Sequence, residues 1–204
     1  GDYDASGDNL EVSLMIVVPS PPTCPAPTVL TATNLTPTSA DLGWTAGGTE
    51  TVWELTWGAS GFTPGSGTLV PMLNNNSYTL TGLSANTSYD FYVKADCGFG
   101  TGSTDLSTWA GPFTFTTPCA VEIPNYTQGF DTYPVNCWSE ANGPTPSGTT
   151  SGWRDDGFGN VGTSGAAAFN IYLSGGDEWL ISPTFDLSNG GYEINLDVAL
   201  TQYG

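Results

Sequence analysis

The sequence predicts an all-β protein built from sandwiches. Short apolar runs alternate with polar residues, and the gaps between them are saturated with Gly, Pro, Ser, Thr and Asn. A formal charge of −18 would suit a disordered acidic chain, but only 11% of the residues are charged and 12% are aromatic, which is enough apolar mass for a core.

The first run is LEVSLMIVV, residues 10–18, a strand expected to finish a preceding module. It ends at PSPPTCPAP, residues 19–27, where proline at this density stops a sheet and forms a stiff linker. Six strand-like runs follow between Cys24 and Pro118: TVLTAT (28–33), SADLGW (39–44), TVWELTW (51–57), SYTLTGL (77–83), SYDFYVKA (88–95) and GPFTFTT (111–117). Ala40, Leu42 and Trp44 share one face of their strand, as do Phe91, Val93 and Ala95 of theirs. Trp53 and Trp57 lie on the face of Leu55, which points to sheet packing and not to a sugar platform.

Residues 24–118 resemble a fibronectin type III domain. Trp44 stands where that family has its core tryptophan, and Leu83-Ser-Ala-Asn-Thr-Ser-Tyr89 matches its tyrosine corner. Residues 119–204 have a different texture. The order Cys119, Phe130-Asp131, Cys137-Trp138, Trp153-Arg154-Asp155-Asp156 and Glu178-Trp179-Leu-Ile-Ser-Pro resembles MAM-like jelly rolls. It resembles above all their cleaved-adhesin and choice-of-anchor relatives in bacterial surface proteins exported by the type IX route. Such a jelly roll needs some eight strands. Four or five can be counted here, including FDLS after WLISP, so the expected fold is a type III sandwich followed by an incomplete jelly roll.

Composition excludes several functions. The acidic field repels nucleic acid and anionic membrane and attracts cations. No stretch approaches the roughly 20 apolar residues that span a bilayer. There is no histidine, so the commonest general base and zinc ligand is missing. Four cysteines without a CxxC spacing read as disulfides, hence an oxidising compartment. In the type III fold the start of the first strand lies beside the end of the sixth, so the resemblance implies Cys24–Cys97. The MAM-like resemblance implies Cys119–Cys137.

The acidic residues fall in two groups. Asp177 and Glu178 are neighbours ahead of a strand, so their side chains point to opposite faces and cannot form a glycosidase pair. Two readings stay open for them, a solvated turn and a calcium site. Calcium takes six to eight oxygens from carboxylates and loop carbonyls, and Gly175 and Gly176 let the chain bend to supply them. The jelly-roll resemblance implies a structural calcium, with Asp177 and Asp131 as ligands and Glu178 beside them. Asp2, Asp4 and Asp8 open the chain with the first half of an EF-type loop, but Ser13 occupies the twelfth position, where a glutamate is required, which excludes an intact EF-hand and leaves a looser calcium turn or a solvated hairpin turn. Asn-x-Ser/Thr sequons occur at Asn34, Asn75, Asn86 and Asn125.

The expected function is that of a non-catalytic adhesion or interaction segment of a large secreted or cell-surface protein, stabilised by calcium. Its partners would be an extracellular protein or glycan, neighbouring modules, or further copies of itself. Three alternatives compete: an accessory region of an exported hydrolase, a carbohydrate-binding module, and a filament subunit built by strand donation.

Overall fold

The computed structural model describes residues 24–102, 104–146, 152–155, 165–169, 177–196 and 198. The run at 10–18, the acidic turn of Asp2, Asp4 and Asp8, and the Gly175–Gly176 bend lie outside them.

Seven antiparallel strands build the first unit. β1 (Thr28–Thr36), β2 (Ser39–Thr45) and β5 (Ser77–Thr81) form one sheet, in the order β1-β2-β5. β4 (Thr68–Leu73), β3 (Trp53–Ala59), β6 (Ser88–Ala95) and β7 (Ala110–Thr116) form the other, in the order β4-β3-β6-β7. The inward alternation predicted for β2 and β6 is present: Ala40, Leu42, Trp44, Phe91, Val93 and Ala95 are all buried. Together with Trp53, Leu55, Leu80, Leu83, Tyr89 and Phe115 they form one hydrophobic cluster between the sheets. Trp57 is partly buried and packs against it, as its strand face predicts. The rings of Trp44 and Trp53 meet edge to face at 6.0 Å.

The sequence pattern yields six of these strands; β4 is the addition. Thr68–Leu73 is an edge strand with Pro71 in it, and its residues are exposed except for half-buried Val70 and Leu73. A strand with one partner and one shallow face shows little alternation. Pro71 and Met72 together oppose Glu54, which makes a bulge. β7, at the other edge of that sheet, repeats the device: Gly111 and Pro112 together oppose Tyr92. Proline donates no ladder hydrogen bond, so both edges are blunted against a further strand.

Among the described residues after Pro118 the strands form two-stranded pieces. β8 (Ser139–Asn142) pairs with β11 (Glu178–Ile181), and β9 (Arg154–Asp155) pairs with β10 (Ala167–Ala168). The FDLS stretch contributes one parallel bridge, Phe185 with Glu122, and not a strand. A small aromatic cluster supports this region. Tyr126 meets Phe185 at 5.3 Å, Phe130 meets Trp138 at 5.2 Å, and the Trp138 indole N–H donates to the Tyr126 hydroxyl at 2.9 Å. All the described secondary structure is β, and among the described residues no helix is long and apolar enough to cross a membrane.

Candidate functional site

Both disulfides are closed: Cys24–Cys97 with Cα atoms 5.6 Å apart, and Cys119–Cys137 at 5.8 Å. The first ties the entry of β1 to the end of β6. The second closes the loop holding Tyr126 and Phe130. No cysteine is left free.

At the opposite end of β6 the Tyr89 hydroxyl accepts a hydrogen bond from the Ser84 N–H at 2.9 Å. Leu83 is buried beneath it, and its N–H donates to the Thr38 carbonyl at 3.0 Å. Thr117 completes the corner: its hydroxyl donates to the Ser84 carbonyl at 2.7 Å and accepts from the Thr87 N–H at 3.0 Å. Nothing local in the sequence marks Thr117, because its partners lie about thirty residues away. With a buried Trp44 and a hydrogen-bonded Tyr89, the two hallmarks of one sandwich family are in place.

Residues 25–109 match the family model of the fibronectin type III domain. Solved structures similar to this chain include a β-sandwich protein from a computer-based redesign, at 28% identity. That similarity covers 46% of this chain and 94% of the other, with a TM-score of 0.36. The fn3 domain of the human collagen alpha-1(XX) chain is 19% identical over 48% of this chain and 89% of its own, with a TM-score of 0.39. The FN5 domain of Drosophila Lar is 19% identical over 47% and 99%, with a TM-score of 0.37. No curated protein matches the chain.

The carboxylates of the β1–β7 sandwich are engaged in holding it together. Asp90 is buried on β6 and accepts from the Gly61 N–H at 2.7 Å, the Thr114 hydroxyl at 2.6 Å and the Ser60 hydroxyl at 3.1 Å. Burial pushes its carboxyl up, but the bonds from Gly61, Thr114 and Ser60 outweigh this and hold it below the usual carboxylate range. Asp41 accepts from the Asn34 amide at 2.8 Å and the Thr79 hydroxyl at 2.7 Å, and these lower its pKa. Glu54 pairs with Lys94 at 2.8 Å, and the same ammonium lies 4.7 Å from the centre of the Trp109 ring. An open depression of about 400 Å³ beside the Cys24–Cys97 bridge is lined by Glu50 and Asp96. Both carboxylates are held by turn amides, Glu50 by Gly47 and Gly48, and Asp96 by Gly98.

The candidate cation ligands of the second segment are engaged with the backbone of that segment. Asp131 accepts from the Gly165 N–H and Glu178 from the Gly152 N–H, both at 3.1 Å. One carboxylate therefore holds each arm of the β9–β10 ribbon. Asp177 is engaged through its backbone, whose carbonyl accepts from the Gly143 N–H at 2.8 Å. Among the described residues no three acidic, cysteine or histidine side chains converge in a metal-binding group. Trp179, expected in the WLISP core, donates its indole N–H to the Gly143 carbonyl at 2.8 Å and keeps a partly exposed ring. Tyr133 donates to Glu140; burial and then that carboxylate push the phenol well above its ordinary range.

Sequence reasoning missed Gly165. A Cβ there would stand 1.7 Å from the Phe130 carbonyl oxygen and 2.9 Å from the Asp131 Cα. Only glycine allows the ribbon to approach this close.

Proposed function

We propose that this chain is a non-catalytic interaction segment of a larger secreted or cell-surface modular protein, with the type III sandwich presenting the segment that follows it. The observation that carries this reading is the employment of the acidic side chains: Asp90, Asp41, Glu54, Glu50 and Asp96 each hold a hydroxyl, amide, turn N–H or ammonium of the fold itself. Two disulfides suit an oxidising, extracellular setting. The match to the type III family supports a module in a tandem chain. The MAM-like reading of residues 119–204, with its type IX export, rests on the Cys119–Cys137 spacing and the WLISP run.

Calcium belongs to this reading. A net charge of −18 attracts divalent cations, and Asp131 and Asp177 lie in irregular segments, where backbone carbonyls are available as further ligands, with Glu178 at the start of β11. The cation would tie the loops of the second segment together and perform no chemistry.

Binding of the labelled chain to an array of extracellular glycans and matrix proteins tests the function, with calcium and with chelator. Saturable, calcium-dependent retention of an unaltered ligand is the expected outcome. Ligand cleavage during the assay would contradict it.

A further inference from the structure

Four edges bound the two sheets of the β1–β7 sandwich, and three of them are interrupted. β4 and β7 carry the bulges at Pro71–Met72 and Gly111–Pro112. β1 shifts register twice against β2, between Thr28 and Thr31 and between Thr33 and Thr36, with Val29 and Asn34 at φ 49° and 48°. β5 has no such device. Ser77–Thr81 runs against β2 without a register shift, contains no proline, and among the described residues has β2 as its one neighbour.

The register decides which backbone groups of β5 are free. The Trp44 N–H donates to the Asn76 carbonyl at 3.2 Å, on the register that continues into β5. Antiparallel pairs alternate between bonded and non-bonded, so Leu42 with Tyr78 and Ala40 with Leu80 are the bonded pairs. The N–H and C=O groups of Ser77, Thr79 and Thr81 therefore point away from β2, along an edge where all three residues are exposed. Tyr78 and Leu80 turn inward, Leu80 buried and Tyr78 half-buried against the core. An extended segment laid here gains a ladder of main-chain bonds and a tyrosine ring to cover.

Charge selects the occupant. Thr33, Asp41 and Thr79 form one row across the outer face of the sheet, and the Asp41 carboxylate accepts from the Thr79 hydroxyl at 2.7 Å. The next place in that row belongs to the added strand, about 4.8 Å beyond Thr79. A lysine or arginine there can reach back over Thr79 to the carboxylate. An acidic residue there is repelled by Asp41 and by a chain of net charge −18. The β5 strand of a second copy brings no cation, since the basic residues of the chain are Lys94 and Arg154. We propose that β5 is a docking edge for an extended segment of a partner protein, with lysine or arginine opposite Thr79 and apolar residues beside Tyr78 and Leu80. This rests on the reading of the chain as an interaction segment and deepens it, by naming the edge and the class of ligand.

Hydrogen exchange of the free chain is the first test: the Thr79 and Thr81 amides should exchange faster than those of Tyr78 and Leu80. Protection of Thr79 in the free chain would show that another part of the chain already covers the edge, and would overturn the proposal. Displayed random peptides are then selected on the whole chain. Enriched sequences should alternate lysine or arginine with apolar residues, and a synthetic copy of the best one should slow exchange at Thr79 and Thr81. Thr79→Pro, which removes an edge N–H that β2 does not use, should weaken that peptide about tenfold. Asp41→Asn should weaken it about two- to fivefold. Because proline can also disturb β5, Thr79→Lys is the second variant; it keeps the backbone edge and repels the basic residue, so binding should fall with the melting temperature unchanged. No enrichment, sequences without this alternation, or binding indifferent to Thr79→Lys and Asp41→Asn would overturn the proposal. So would a dimer in sedimentation that Thr79→Lys abolishes, which gives the edge to a second copy. Array ligands retained equally by wild type and Thr79→Lys would leave the interaction segment standing and refute this edge.

Discussion

Asp90 shows how a single buried carboxylate becomes a brace. Its three donors come from Ser60, Gly61 and Thr114, so it joins the β3–β4 turn to β7 across the middle strand. Asp90→Asn keeps the shape and removes the charge that those donors serve. A loss of about 1.5–3 kcal/mol is expected in urea unfolding, the range for hydrogen bonds to a charged group. The pH dependence has a defined sign. Because the folded carboxyl is held below its unfolded value, its stabilisation is fully present above about pH 4 and is lost as pH falls through the lower, folded pKa. Wild type should therefore lose stability more steeply than Asp90→Asn on acidification from pH 4 downward; parallel curves would refute the role. Tyr89→Phe should cost about 1–3 kcal/mol by leaving the Ser84 N–H without its partner, and a neutral result in the same assay would remove the corner from the list of supports.

Strands with two neighbours were legible from sequence, and edges were not. Alternation marks β2 and β6 because the core covers one face completely, whereas β4 has a bulge at Pro71–Met72 and exposes Leu69. Leu83 and Tyr89 were legible because the tyrosine-corner spacing is local, and Trp44 because it continues the alternation of β2. The cysteine pairs became legible only through family resemblance, since four cysteines permit three pairings. Asp90, Thr117 and Gly165 were invisible because long-range contacts define their roles, and no local pattern encodes a carbonyl 1.7 Å from an absent Cβ. Gly165→Ala is expected to force β9–β10 away from Phe130 and Asp131 at a cost of about 1–3 kcal/mol to the second segment. Hydrogen exchange should then speed up at the Gly152 and residue-165 amides and stay unchanged in β6. The bridges differ by the loop each closes. Replacing Cys24 and Cys97 by alanine should cost about 4 kcal/mol, and replacing Cys119 and Cys137 about 3 kcal/mol, because the sequence separations are 73 and 18 residues. Equal losses in denaturant titrations would show that chain entropy does not set their contribution.

The whole molecule joins two regions of different density. Residues 25–117 have two sheets over a continuous core, closed by a disulfide at one pole and a tyrosine corner at the other. Among the described residues, the region after Cys119 relies on short ribbons, a small aromatic cluster and a disulfide, and it exposes Val121, Ile123, Leu187, Ile194, Leu196 and Val198. A bound cation has most to add where packing adds least, since a ligand that binds only the folded form stabilises by mass action. Whether the acidic residues of that region hold structure through calcium is decided by scanning calorimetry of the intact chain with excess calcium and with chelator. Chelation should lower the melting of the second region and leave the transition of the β1–β7 sandwich in place, and Asp177→Ala should reproduce that loss with calcium present. Superimposable curves in calcium and chelator, or a shift confined to the β1–β7 sandwich, would contradict it.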